Sequence, residues 1–283
     1  YSMNLHNPIR NLGQLIGAFF LATIFFCSTG FLSAQVLYDD FSGSSVNATI
    51  WRTTLPTGGN TYTGGSSLTV SGGNLTASVG ANTGTNHRAF LLSNASNFNF
   101  YLNPITIDIA LGTLGGANTS ASSFADHYVM ISNLAGPERG YVNPSSPVSV
   151  YASAATTNGT TQLQLGSIVG GNLRSANATY TGTLTNMSLT LNATGFSLTG
   201  TGTGGGLPAT VSGLWSSLGG ISSTNFAGTY YLSLGASNRG TQTTGSSAQY
   251  SSINVIPEPS TYALLTIVGT VALIFMPRRR SLG

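Results

Sequence analysis

The chain of 283 residues contains no lysine, a single cysteine and six acidic residues, and charged residues make up only 5% of it. All of its fixed positive charge is arginine, and four of the nine arginines (Arg10, Arg278, Arg279, Arg280) lie close to the two ends. Between Gln35 and Ile256 stand Arg52, Arg88, Arg139, Arg174 and Arg239 against Asp39, Asp40, Asp108, Asp126 and Glu138. This body is therefore neutral, and the net charge of +3 belongs to the terminal segments. A nucleic-acid partner needs clustered Lys and Arg to replace the counterions of phosphate, so that class of function is excluded. Cys27 lies in a leader-like segment, which leaves the body without disulfides or thiolate metal ligands. Zinc needs three or four converging ligands, and the body offers only His87 and His127 besides its scattered acids.

Helical periodicity is also missing between Gln35 and Val255, apart from a turn at Ser212–Leu218. What is present there is Gly, Ser, Thr and Asn together with both Trp and many of the 12 Tyr and 13 Phe of the whole chain. A disordered chain lacks aromatics and carries charge, whereas this one is aromatic and almost uncharged. About 220 residues suffice for one large core. Val36–Ser42 alternates apolar and polar residues as an opening strand does. Ser67–Val79 reads as a hairpin turning at Gly72-Gly73, and Met187–Thr199 as another turning at Ala193-Thr194. Arg88–Leu92, Ile105–Leu111, His127–Ser132, Val148–Ala152, Gln162–Ile168, Gly228–Gly235 and Gln249–Val255 supply further strands. Short strands separated by Gly/Asn turns predict an all-β, jelly-roll-like antiparallel β-sandwich over residues 35–255.

The two ends differ from this body. Residues 1–34 carry Arg10, the apolar run Leu15–Phe31 and the small Ala34, the pattern of a secretory signal helix; an uncleaved anchor is the alternative. Residues 256–283 hold Pro257, Glu258 and Pro259, an uncharged run from Ser260 to Met276 that is apolar on all sides, and Arg278–Arg280. The prolines predict a stiff extended spacer outside any sheet, the run a transmembrane helix, and the arginines its cytoplasmic stop. A helix of about 15–17 residues rises only ~25 Å against a hydrocarbon core of ~30 Å.

The order V/I-P-E-P, short span, terminal Arg cluster resembles the PEP-CTERM sorting tail of Gram-negative bacteria. The resemblance implies recognition by an exosortase-type membrane protease, removal of the tail near the motif, and transient membrane anchoring before release to the cell surface or extracellular matrix. A plain single-span anchor is the bland alternative. A second resemblance lies in Asp39–Trp51 (DDFSGSSVNATIW), the hairpin LTVSGGNLTAS and the closing YYLSLGASNRG and YSSINV phrases. These look like the first and last strands of concanavalin A-like lectin/glucanase jelly rolls, in which the last strand pairs with the first.

Hydrolases of that superfamily need two carboxylates about 5 Å apart on one strand, in an E-x-D-x-E phrase that is absent here. Asp39 and Asp40 are adjacent and point to opposite faces of a strand; they are expected to pin the first strand, with a calcium ion beside them as the metal candidate. Asp126 and His127 form the most suggestive polar pair for general base or metal chemistry, but neighbours in a strand also face opposite ways. Exposed aromatics that stack on sugars are sought among Trp215, Tyr141 and Tyr151, with Tyr62 and Tyr180 beside them, while Trp51 is assigned to the core. Eight Asn-x-Ser/Thr triplets, at Asn47, Asn74, Asn94, Asn118, Asn158, Asn177, Asn186 and Asn192, are expected from composition and mark surface. The expectation drawn from all this is a non-enzymatic structural or polysaccharide-binding component of the envelope or exopolysaccharide matrix. A glycoside hydrolase or polysaccharide lyase of the jelly-roll superfamily and a self-associating adhesin are the alternatives.

Overall fold

The computed structural model describes residues 36–52, 66–83, 87–95, 98–115, 124–133, 148–157, 160–169, 172–219, 221–239, 241–242 and 244–257. The segments expected to form a signal helix and a transmembrane helix lie outside the described residues, among which no helix is long and apolar enough to cross a membrane.

The strands in chain order are β1 (Val36–Asp39), β2 (Ser67–Ser71), β3 (Asn74–Val79), β4 (Asn82–Thr83), β5 (His87–Leu92), β6 (Ile105–Gly115), β7 (Phe124–Ser132) and β8 (Ser149–Thr157). They continue with β9 (Thr160–Val169), β10 (Asn172–Thr179), β11 (Thr183–Leu191), β12 (Gly195–Thr203), β13 (Ala209–Leu214), β14 (Tyr231–Arg239), β15 (Thr241–Gln242) and β16 (Ser246–Pro257). One sheet has the order β13-β12-β11-β6-β16-β3-β2, with β1 added beside β16; the other runs β10-β9-β8-β7-β14-β5; β4 and β15 form a small pair. Every pairing is antiparallel. The predicted jelly-roll-like sandwich is the observed architecture.

The alternation in the sequence explains the register. On β6, Ile105, Ile107 and Ile109 are buried, while Thr106 and Asp108 between them are half-buried on the other face. β11 presents Met187, Leu189 and Leu191 to the same core, paired with Ile109, Ile107 and Ile105. Val129, Ile131, Val150, Ala152, Leu163, Leu165, Leu232 and Leu234 answer from the six-stranded sheet. The Gly72-Gly73 turn closes the β2–β3 hairpin with φ of +58° and +73°, a left-handed pair that glycine adopts without a Cβ penalty. The final strand pairs with the first, Val255 opposite Val36, as the glucanase-like phrases imply.

Inside this sandwich the two layers share a polar tie. The buried Tyr250 of β16 reaches across the core with its hydroxyl 2.6 Å from the Gly235 carbonyl of β14 and 3.1 Å from the Tyr128 carbonyl of β7. Its single proton serves the nearer acceptor.

Asn47–Ile50 is a turn closed by the Asn47 carbonyl, which accepts from the amides of Ile50 and Trp51; Trp51 bridges to Ser93. One expectation is corrected. Pro257 is not in a spacer outside the sheet: it is the last residue of β16, opposite Ile105. The fixed φ of proline is compatible with extended backbone, and its missing N–H is tolerated at a strand end or on an open side. Pairing of β16 with β1 has already stopped at Val255.

Candidate functional site

The six-stranded sheet carries apolar side chains on both faces. The runs AFLL in β5 and YVMI in β7 are continuous rather than alternating, the pattern of strands covered on two sides. Their odd-numbered members join the main core. Phe90, Leu92, Tyr128 and Met130 turn away from it and, with Tyr151 of β8 and the half-buried Tyr231 of β14, make a second cluster.

The register lays this cluster out in rows. Phe90, Gly235, Tyr128, Ser153 and Gln164 lie side by side on β5, β14, β7, β8 and β9; the next row is Leu92, Ser233, Met130, Tyr151 and Gly166. Tyr151 lies over Gly166, where any Cβ would fall inside its ring. Gly235 leaves room for Phe90, whose Cβ would stand 2.7 Å from an added methyl. At one edge the Arg52 guanidinium sits over the Tyr231 ring, 4.9 Å from its centre, a cation–π contact. Ser153 places a buried hydroxyl in the middle of the layer with no hydrogen-bond partner among the described residues. A buried hydroxyl left unpaired is costly.

The sequence-selected residues are distributed differently from the expectation. Tyr151 belongs to the cluster, although in mid-strand rather than in a loop. Trp215 is corrected from ligand contact to core: it is 1% exposed, its Nε1 donates to the Asn192 carbonyl at 2.9 Å, and its ring meets Phe226 at 4.2 Å and Phe196 at 5.1 Å. A tryptophan next to a Gly/Ser-rich loop reads as exposed in sequence; here the short 3-10 turn Trp215–Leu218 folds it inward. Asp126 and His127 occupy adjacent positions of β7, Asp126 opposite Ser237 and Ala155, His127 opposite Ala236 and Ala154. Tyr141, Glu138, Glu258, Pro259 and Arg278–Arg280 lie outside the described residues.

Asp39 is fully engaged. One carboxylate oxygen accepts the Trp51 indole N–H at 2.6 Å and the other the Phe41 amide at 2.8 Å, which pins β1 onto the core. Asp40 is exposed and accepts the Ser42 amide at 3.0 Å. Calcium takes six to eight oxygen ligands. These two carboxylates do not fit it, and no group of three or more His, Cys, Asp or Glu converges among the described residues. Asp108 sits on the other sheet, opposite Ser188 and Asn254. A facing pair of carboxylates is thus not assembled among the described residues.

No protein-family description matches the chain, and no curated protein resembles it in sequence. Solved structures do resemble it in fold. The endo-1,3-beta-glucanase of Streptomyces sioyaensis superposes with a TM-score of 0.50 at 13% identity, covering 79% of this chain and 96% of its own. An immunostimulatory antigen and pseudo beta-1,3-glucanase of Mycobacterium tuberculosis matches at 0.47, with 12% identity and coverage of 78% and 98%. A family 7 alginate lyase matches at 0.42, with 14% identity and coverage of 66% and 80%. At this identity the likeness is one of fold, the jelly roll. The expectation of a non-enzymatic structural or binding component of the matrix is corrected by the match at 0.50, which is named an endo-1,3-beta-glucanase. The hydrolase or lyase alternative is the reading carried forward as a proposal.

Proposed function

We propose that the body is a carbohydrate-active enzyme of the jelly-roll type, exported and sorted by its terminal segments. The observation that carries the catalytic reading is the second side-chain layer on the six-stranded sheet, where Tyr128, Tyr151 and Tyr231 stand with Ser153 and Gln164 in a nearly charge-free cluster. Hydrolysis of the kind carried out by glucanases needs two carboxylates about 5–9.5 Å apart, and that face has one acidic position among the described residues, Asp126. Elimination needs no such pair. An ionised tyrosine oxygen takes the proton α to a uronate carboxylate, the C–H electrons become the C4=C5 double bond, the C4–O bond breaks, and the departing oxygen takes a proton. Tyr151 and Tyr128 are the acid–base candidates for it. Both are buried, so substrate binding has to uncover this face.

The test is incubation of the full chain with alginate and with β-1,3-glucan, following unsaturated uronate absorbance and reducing ends in parallel. The expected result is unsaturated product from the uronate polymer, reduced at least 100-fold by Tyr151→Phe, which keeps the ring over Gly166. Reducing ends without unsaturation would replace elimination by hydrolysis. Neither product from either polymer would sink the enzyme reading.

The sorting half of the proposal rests on Pro257-Glu258-Pro259, the apolar run and Arg278–Arg280, with an exosortase-type protease as partner and the cell surface or extracellular matrix as destination. Peptide mapping of surface-recovered protein is expected to find nothing beyond the motif; recovery of intact Arg278–Arg280 ends would remove this part.

A further inference from the structure

We propose that a cleft at the β9–β10 corner of the sandwich is a second site that binds a neutral sugar. Its volume is about 570 Å³, and it is lined by Thr160, Thr161, Thr179, Tyr180, Thr181 and the glycines 182, 205 and 206. That volume falls within the range of small-ligand sites.

The cleft is built where two connections meet beside the start of β9. Tyr180 and Thr181 form the crossover from β10 to β11, and Gly205-Gly206 the turn from β12 to β13. The Thr181 amide donates to the Gly205 carbonyl at 2.8 Å and the Thr181 hydroxyl to the same oxygen at 3.1 Å, while the Tyr180 amide donates to the Thr161 carbonyl at 3.2 Å. At Gly206, with φ of +73°, an added Cβ would lie 3.2 Å from the Tyr180 Cα. Both the dihedral and the space therefore call for glycine there. The two turns are locked together and leave the cleft open beside them.

Its chemistry selects the ligand class. No lining residue bears a charge, so nothing attracts phosphate, uronate or a metal ion. Four threonines each present a hydroxyl next to a methyl, the same alternation that a pyranose offers with its O–H groups and C–H faces. Tyr180 lines the cleft and is 5% exposed. Burial pushes its hydroxyl up to about 12, so it keeps its proton at physiological pH and donates. The ring is too buried to act as a stacking platform, and recognition proceeds through hydrogen bonds. This site does not depend on the catalytic reading: it needs neither turnover nor the face carrying Tyr151.

Calorimetric titration of the full chain with cellohexaose, maltohexaose and a β-1,3-glucohexaose, with a hexauronate as charged control, tests it. Saturable binding of at least one neutral hexasaccharide, weakened tenfold or more by T160V/T179V with an unchanged melting temperature, is the expected result. Both positions are exposed and in strands, where valine is well accommodated. Tyr180→Phe, which removes only the hydroxyl, is expected to weaken binding as well. Absence of saturable binding by all three neutral probes overturns the proposal. So does binding that T160V/T179V leaves unchanged, or tighter binding of the hexauronate.

Discussion

At the scale of single residues the polar atoms that matter are few and nearly all local. The buried Asp39 carboxylate is held by Trp51 and the Phe41 amide, and the Trp51 indole lies edge-on to Tyr38 with ring centres 5.5 Å apart. Replacing Trp51 by Phe keeps an aromatic ring but leaves one carboxylate oxygen buried and unpaired. Leaving a buried partner unsatisfied costs about 1–3 kcal/mol, more for a charged group, beyond the loss of ring area. Urea unfolding of W51F should show a loss at least that large. Asn192 is another such residue: its side-chain oxygen accepts the amides of Thr194 and Gly195 and the Thr194 hydroxyl, all within 2.9 Å, while its own carbonyl holds Trp215. Asn47 accepts from Thr49 in the same way. Some of the Asn-x-Ser/Thr triplets are thus turn-forming pairs. N192A is expected to lower stability by about 1–2 kcal/mol.

Ionisation gives a further prediction at this scale. Burial raises Tyr38 and raises Tyr180 to about 12 from the ordinary 10.0. The folded chain then holds these protons at a pH where the unfolded chain has released them. The corresponding stability is complete below pH 10 and is lost as pH rises from about 10 to about 12. Urea midpoints measured between pH 8 and pH 11 should fall, and the fall should be shallower in Tyr180→Phe.

At the scale of elements, strands with clean alternation were legible and strands covered on both faces were half legible. ITIDIAL in β6 and MSLTLN in β11 could be assigned a core face from period alone, and the structure buries the apolar members of each. The Gly72-Gly73 and Ala193-Thr194 turns were readable because turn chemistry is local. By contrast, AFLL and YVMI reveal a strand but not which residues go to which cluster, since period two carries no information when both faces are apolar. The tyrosine layer was missed for that reason, and only Tyr151 of its members was singled out. Packing there is tight. Gly166→Ala would drive a methyl into the Tyr151 ring, and overpacking of this kind costs about 1–3 kcal/mol. A matching fall in melting temperature is expected, relieved by the second change Tyr151→Ser. Tyr250→Phe removes the hydroxyl that ties β16 to β14 and β7; a loss of about 1–3 kcal/mol in denaturant unfolding would confirm that this bond links the layers.

At the scale of the whole molecule, the closing strand runs into the proposed sorting motif. β16 lies between β6 and the pair β1 and β3, and its last two residues pair with Thr106 and Ile105. Cleavage on the C-terminal side of Pro257 leaves this strand whole, whereas a cut before Ile256 strips two pairs from a central position. Mass spectrometry of processed protein is therefore expected to place its C-terminus at or after Pro257.

The sequence by itself determined the all-β class, the main hairpins and the composition of the terminal segments, because each rests on composition or on short-range periodicity. Tertiary structure alone decided that Trp215 is core, that Asp39 is spent on Trp51, that Pro257 ends a strand, and that tyrosines from β7, β8 and β14 share one face. It also brought the threonines of β9 and β10 to the glycine turns of two other connections. Those outcomes depend on contacts between positions far apart in the chain, from 12 for Asp39 with Trp51 to the strand pair that sets Val36 opposite Val255, and neither residue type nor period encodes which distant strand lies alongside.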